Sequence, residues 1–215
     1  MHTTHRTRNR RGEGSLLRQQ ILAAATELLD AGGDERTLTL RAVARRAGIA
    51  APSIYPHFPG QAAIMLAIVR QSFAELACRL RAAAAGTDEP RQQLYAVCRT
   101  YLSYAREHPR RYRAMFGDFR HDGIAPEDLY PSGADMIRIL ADSLGARTSP
   151  DPTDDAIALW LGLHGLAHQR AVLTWYAWPA DIAQRVAGPL TRPVDGRHHP
   201  PVHGRTSIPV RRKQP

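Results

Sequence analysis

The sequence predicts an all-α protein, and three observations carry that reading. Apolar residues recur at i, i+3, i+4 and i+7 in one stretch after another of the 215 residues, the spacing that gathers side chains on one face of a helix. Several of these stretches are closed by glycine or proline, as at Gly32-Gly33, Gly48 and His108-Pro109, where such residues stop helices. Between Thr37 and Phe58 the segment TLTLRAVARRAGIAAPSIYPHF reads as two short helices joined by a turn at Ala47-Gly48-Ile49.

That segment organises the rest. Leu40, Val43, Ala44 and Ala47 share a face of its first helix. Gly48 can take the left-handed conformation that ends the helix, and Ile49 can plug the angle to the next. Pro52 suits the first turn of the second helix, where a missing N–H costs nothing. Pro56 removes a hydrogen bond further along, so this helix is expected to run two turns at most and to be distorted near its end. Between Glu35 and Glu75 there is no acidic residue, whereas Arg36, Arg41, Arg45, Arg46 and Arg70 all lie there. Such a patch can approach phosphates without like-charge repulsion. The same arginines would also serve as a solvated helix face.

Taken from the N-terminus, residues 1–14 read as a disordered basic arm, in which Arg6, Arg8, Arg10 and Arg11 against Glu13 give a charge of +3. A first helix over Ser15 to Ala31 carries the stripe Leu17, Ile21, Ala24, Ala25 and Leu28 and stops at Gly32-Gly33. It supports the two short helices, which are too small to bury their own apolar faces. A long helix runs from Gln61 to about Ala85 on Met65, Val69, Phe73, Leu76 and Leu80, and a break at Gly86 to Pro90 marks a candidate domain boundary. The next helix, Arg91 to Glu107, stops before Pro109. Asp118 to Pro131 is expected to be a loop or a short irregular helix, and Gly133 to Leu144 a helix. Asp154 to about Trp175 is apolar on more than one face, so it must be covered on several sides, a second subunit among the possibilities. A final helix covers Ala180 to Leu190.

Residues 191–215 hold five prolines, five arginines and Lys213 against Asp195, a charge of +5 without an apolar stripe, and are expected to be disordered. The net charge of +9 therefore belongs mainly to the two tails, since residues 15–190 balance to +1. Cys78 and Cys98 are too few and too ill-spaced for a zinc site or disulfide framework and read as buried reduced thiols. No apolar run reaches the roughly 20 residues a bilayer requires, and no apolar signal core follows the basic N-terminus, so a cytoplasmic protein without membrane partners is expected.

In this order, a supporting helix, TLRAVARRAGIAAPSIYPHF and a long helix from Gln61, the chain resembles the DNA-binding domain of the tetracycline-repressor (TetR) family, with Ala44, Ala47-Gly48, Tyr55 and His57-Phe58 as the telling matches. A weaker second match covers AVCRTYLSYAREHPRRYRAMF and ALWLGLHGLAHQRAVL, with Trp160 and His164-Gly165, and resembles one subgroup's effector domain. The resemblance implies a helix-turn-helix DNA-binding domain over 15–60 and a helical-bundle ligand-binding and dimerisation domain over 61–190. It implies a homodimer that reads a palindromic operator, is nucleoid-associated when bound, and is released by a small-molecule effector. By the same carry-over Thr39, Arg41, Arg45, Ala51, Pro52, Ser53, Tyr55, His57 and Gln61 would meet DNA. Ala50 departs from the family's usual N-capping residue, and Gln61 from its usual lysine.

Tyr101, Tyr104, Tyr112, Met115 and Phe116 cluster around a helix break, and with Trp160 and His164 they form a candidate effector pocket. Aromatics with polar tips can line a cavity, and the same spacing fits plain core packing. His164 and His168 share a helix face, but without the Glu of HExxH or a third ligand they favour a buried, hydrogen-bonded histidine over a metal site. No GxSxG elbow, phosphate-binding loop, Rossmann glycine pattern or carboxylate pair supports an enzyme, and no cofactor is expected. The competing class is an architectural nucleic-acid-binding protein that acts through its basic tails without sequence preference.

Overall fold

The computed structural model describes residues 13–32, 38–117, 126–145 and 152–191. Both tails fall outside the described residues apart from their inner edges, as do Arg36 and Thr37. The elements are helices α1 (Glu13–Asp30), α2 (Leu40–Ala47), α3 (Gln61–Ala84), α4 (Pro90–Glu107), α5 (Pro109–Phe116), α6 (Pro126–Leu144), α7 (Pro152–Val172) and α8 (Ile182–Ala187), with 3-10 turns at Ala51–Ser53 and Gly188–Thr191. Among the described residues there is no strand.

Each boundary has a local cause. Thr39 caps α2, its hydroxyl accepting from the Ala42 N–H at 3.2 Å, and Gly48 ends it with φ 68°, a conformation that costs an L-residue about 1–2 kcal/mol. Glu89 caps α4 by accepting from the N–H groups of Arg91 and Gln92. His108 breaks the chain at φ −126°, ψ 57°, and Pro109 starts α5 at the position where proline is tolerated.

One continuous core joins α1 to α8, from Ile21 through Val43, Ile54, Phe58 and the stripe of α3 to Ala183 and Ala187. The long α3 is shared by both halves. Its first turns, with Ile64, Met65 and Ile68, pack beside α1, while Phe73, Leu76 and Leu80 pack with α4, α5 and α6. Gln20 reaches across to donate to the Ala47 carbonyl at 2.8 Å, and Arg46 pairs with Glu27 at 2.6 Å, fixing α2 on α1.

Several expectations need correction. The helix expected from Gly133 begins at Pro126 and carries Pro131 inside it, while residues 118–125 lie outside the described residues. That proline forfeits one main-chain bond, a loss that the helix's packing against α3 and α7 outweighs. Helix α7 opens at Pro152 and leaves helical geometry at Val172, three residues short of Trp175; beyond it Trp175, Tyr176 and Trp178 stack edge to face on one another. The last helix spans only Ile182–Ala187 before tightening to a 3-10 turn. Of the two cysteines only Cys98 is buried, its thiol pushed up to about 12 by desolvation, whereas Cys78 on α3 is exposed.

Candidate nucleic-acid interface and apolar cleft

The segment after Gly48 is tighter than an α-helix. Ser53 and Ile54 donate to the carbonyls three residues back, Ala50 and Ala51, at 2.9 and 3.1 Å, and His57 donates to Ile54 at 2.9 Å. Pro56 has no N–H to offer the Pro52 carbonyl, so a regular second turn cannot close. Ile54 and Phe58 are buried and anchor the segment from beneath. Ala50 supplies no side-chain cap.

This anchoring decides what faces outward. Pro52, Tyr55 and Pro56 are exposed, Tyr55 at 59%, while Ala51, Ser53 and His57 are half-buried at its edge. The His57 ring lies beside α1, its Cε1 3.9 Å from where Gly14 would carry a Cβ. Thr39, Arg41 and Arg45 are exposed on α2, and Gln61 opens α3 half-buried. Two acidic residues of α1 are occupied: Glu27 pairs with Arg46, and Asp30 with Arg111. The outer surface formed by α2 and the 51–57 segment thus contains no acidic residue.

The aromatic cluster divides in two. Tyr101 and Tyr104 are fully buried, and Tyr112 and Met115 nearly so. A hydrogen-bonded chain links the Tyr101 hydroxyl to that of Tyr112 at 2.9 Å and Tyr112 to His164 Nδ1 at 2.8 Å; Tyr104 donates to the Ser72 carbonyl at 3.2 Å. Desolvation pushes Tyr101 up to about 12 and Tyr112 further up, and it lowers His164, so all three remain neutral near pH 7. The Trp160 indole nitrogen is buried near the Tyr101 hydroxyl but without hydrogen-bond geometry.

Phe116 and Trp160 instead reach a cleft of about 810 Å3 between α3, α5, α6 and α7, whose walls also include Phe73, Met136, Ile137 and Ile157. Phe116 lines it and is stacked edge to face on Phe73 at 5.5 Å and on His164 at 4.7 Å. Arg138, Asp142 and Thr153 supply the polar groups of the lining. Of the pocket predicted from sequence, therefore, two residues line the cleft and five pack behind it. Phe73, Met136, Ile137 and Ile157 were not singled out for the cleft, because helical spacing does not distinguish a core-facing from a cleft-facing side. Among the described residues no group of three or more His, Cys, Asp or Glu is arranged to hold a metal ion, and no helix is long and apolar enough to cross a membrane.

A charged network that sequence reasoning missed joins the two halves. Arg111 on α5 is 12% exposed and bridges Asp30 of α1 at 3.1 Å and Glu75 of α3 at 2.7 Å. Glu75 also holds Arg79, which holds Glu107. His108 lies between the two guanidiniums, Arg111 donating to its Nδ1, and desolvation together with their positive charge lowers its proton affinity. Helix α5 thereby touches the cleft through Phe116 and α1 through Arg111.

Comparison with known proteins agrees with this architecture. Residues 21–68 match the family described as bacterial regulatory proteins of the tetR family, and residues 94–191 match the tetracyclin repressor-like C-terminal domain, the two together spanning well over half of the chain. The chain is 27% identical over 173 residues to the HTH-type transcriptional repressor KstR of Mycolicibacterium smegmatis, covering 79% of this chain and 82% of that one. Among solved structures, a regulatory protein of the tetR family from Rhodococcus RHA1 superposes with a TM-score of 0.60 at 18% identity, over 81% of this chain and 95% of that chain. The transcriptional regulator FadR from Bacillus subtilis, in complex with stearoyl-CoA, superposes with a TM-score of 0.66 at 15% identity, over 84% and 99%. Both family models fall on the halves that α3 joins, and the chain belongs to the TetR family of bacterial regulatory proteins.

Proposed function

We propose that the protein is a homodimeric repressor that reads a palindromic operator with the 51–57 segment and is released by an apolar effector held in the cleft. The observation that carries the reading is the outward surface of α2 and residues 51–57, where Arg41, Arg45 and Tyr55 stand exposed and no carboxylate opposes phosphate. Arg41, Arg45, Thr39, Tyr55, His57 and Gln61 would hold the backbone, while Ala51, Pro52 and Ser53 face base edges. With few donors there, readout rests on apolar contact and the Ser53 hydroxyl. The repressor KstR supports the direction of regulation.

Dimerisation is supported by α7, whose residues Leu161, Gly165, His168 and Val172 recur at i, i+4, i+7 and i+11 and are all exposed, Leu161 at 56% and Val172 at 61%. Leu161 and Val172 on that stripe are exposed apolar side chains that a second copy would cover. Two-fold pairing would set two recognition segments about 34 Å apart, one turn of DNA. An effector wedged beside Phe116 would displace α5, and the Arg111 bridges would pass that shift to α1 and α3, changing the spacing of the two readers.

Anisotropy measurements on genomic fragments from around the source gene, in moderate salt, test the reading. Arg41→Gln and Tyr55→Phe are expected to weaken binding to all fragments alike, Arg41→Gln lowering the salt slope by about 1, whereas Ser53→Ala changes the ranking of fragments. Uniform binding that disappears when residues 1–14 and 191–215 are trimmed would instead assign DNA contact to the tails and defeat the operator reading.

A further inference from the structure

Ten residues along α7 from Trp160, about 15 Å by helical rise, a second and chemically opposite depression opens. Its volume is about 120 Å3, and Arg99, Ser103, Arg106 and Arg170 line it over an apolar floor that includes Leu102 and Ile182. Arg99, Ser103 and Arg106 sit at i, i+4 and i+7 on one face of α4, and Arg170 enters from the last turn of α7. Arg99 and Arg106 are exposed and Arg170 half-buried, so three basic residues from two helices distant in sequence border a pocket only large enough for a small group.

None of the three makes an ion pair or a side-chain hydrogen bond among the described residues. The neighbouring carboxylates are engaged elsewhere: Asp181, in the rim between Ala180 and Ile182, holds Arg185 at 2.9 Å, and Glu107 holds Arg79 at 2.8 Å. Like charges gathered in a concave site repel one another unless an anion joins them. The guanidinium fork matches the oxygens of phosphate in pairs, and the Ser103 hydroxyl adds a further donor. A single carboxylate offers two oxygens, too few for three forks.

We propose that this pocket is a second ligand site, separate from the apolar cleft, which binds a small molecule through a phosphate or diphosphate group. An anion held there ties α4 to the end of α7 and the start of α8, and so restrains residues 173–181 between them. The proposal is independent of what the cleft binds and of operator recognition.

Calorimetric titration of the full chain with sodium pyrophosphate at constant ionic strength, against sodium sulfate, tests it. Saturable binding near one site per chain is expected for the native protein and for Arg113→Gln, which alters an exposed arginine outside the pocket. Arg106→Gln and Arg170→Gln should each weaken it at least about tenfold, the scale of one charged hydrogen bond. Heats that match the sulfate control, or that persist unchanged in both variants and so belong to the basic tails, overturn the proposal. So does a loss of self-association in either variant with pyrophosphate binding intact, since the arginines would then face a second copy. Should neither variant fold, phenylglyoxal modification of the native chain decides the matter: pyrophosphate protects Arg99, Arg106 and Arg170 if the site is real and leaves them reactive if it is not.

Discussion

Replacing Arg111 by methionine keeps the length of the side chain and removes the charge that bridges the two halves. The guanidinium is 12% exposed and meets Asp30 at 3.1 Å and Glu75 at 2.7 Å. A hydrogen bond to a charged partner contributes about 1.5–3 kcal/mol when shielded. Here Asp30 and Glu75 are 37% and 32% exposed, and Glu75 keeps Arg79 after the substitution. Solvent screening lowers the expected total to about 2 kcal/mol. For a chain of this length each kcal/mol moves the thermal midpoint by about 2–4 °C, so a fall of about 4–8 °C is expected by scanning calorimetry. Protein concentration must be fixed, because association shifts the midpoint as well. Asp30→Asn removes only the arm to α1 and should cost about half as much. The double variant should lose little more than Arg111→Met alone, because the contribution of Asp30 runs through Arg111. An unchanged midpoint in Arg111→Met, or losses that simply add, would refute the reasoning.

Two further outcomes follow from local geometry. Gly48→Ala meets no atom within 4 Å but must adopt φ 68°, so urea unfolding should show a loss of about 1–2 kcal/mol from backbone strain alone; an unchanged midpoint would mean that the turn can relax. Burial lowers both His108 and His164 below the usual 6.5. The unfolded chain therefore takes up these protons first, and the stability present above pH 6.5 declines as pH falls below that value. His164→Gln should flatten the decline in the thermal midpoint over that window, and an identical decline in native and variant protein would exclude His164 as a source.

The sequence alone determined α1 to α4 and the turn between α2 and residues 51–57, since the signals for them act within a few residues, whereas α5, which begins directly after the break at His108, was not read from it. Thr39 caps, Gly48 takes a positive φ, Pro56 forbids a second regular turn, and the stripe on α3 needs no partner to be recognised. Helix ends chosen by packing were less legible. Pro131 reads as a breaker in isolation but is carried inside α6 by contacts with α3 and α7, and the stripe on α3 gave no reason to expect one exposed cysteine there.

What tertiary structure alone decided is which side of each aromatic meets solvent-accessible space. Tyr101 and Tyr112 were candidates on the same grounds as Phe116 and Trp160, yet the first two are sealed by their mutual hydrogen bond and by His164, 52 residues from Tyr112 in sequence. Arg111 likewise reads as one basic residue among several, and its role depends on Asp30, 81 positions away, being brought to 3.1 Å. Torsional preference and capping are properties of neighbouring residues, whereas a cleft or an ion bridge is a property of distant helices packed at a particular angle. The surface proposed to face an operator is therefore legible from local signals, while the cleft, the Arg111 bridges and the arginine pocket required the assembled bundle.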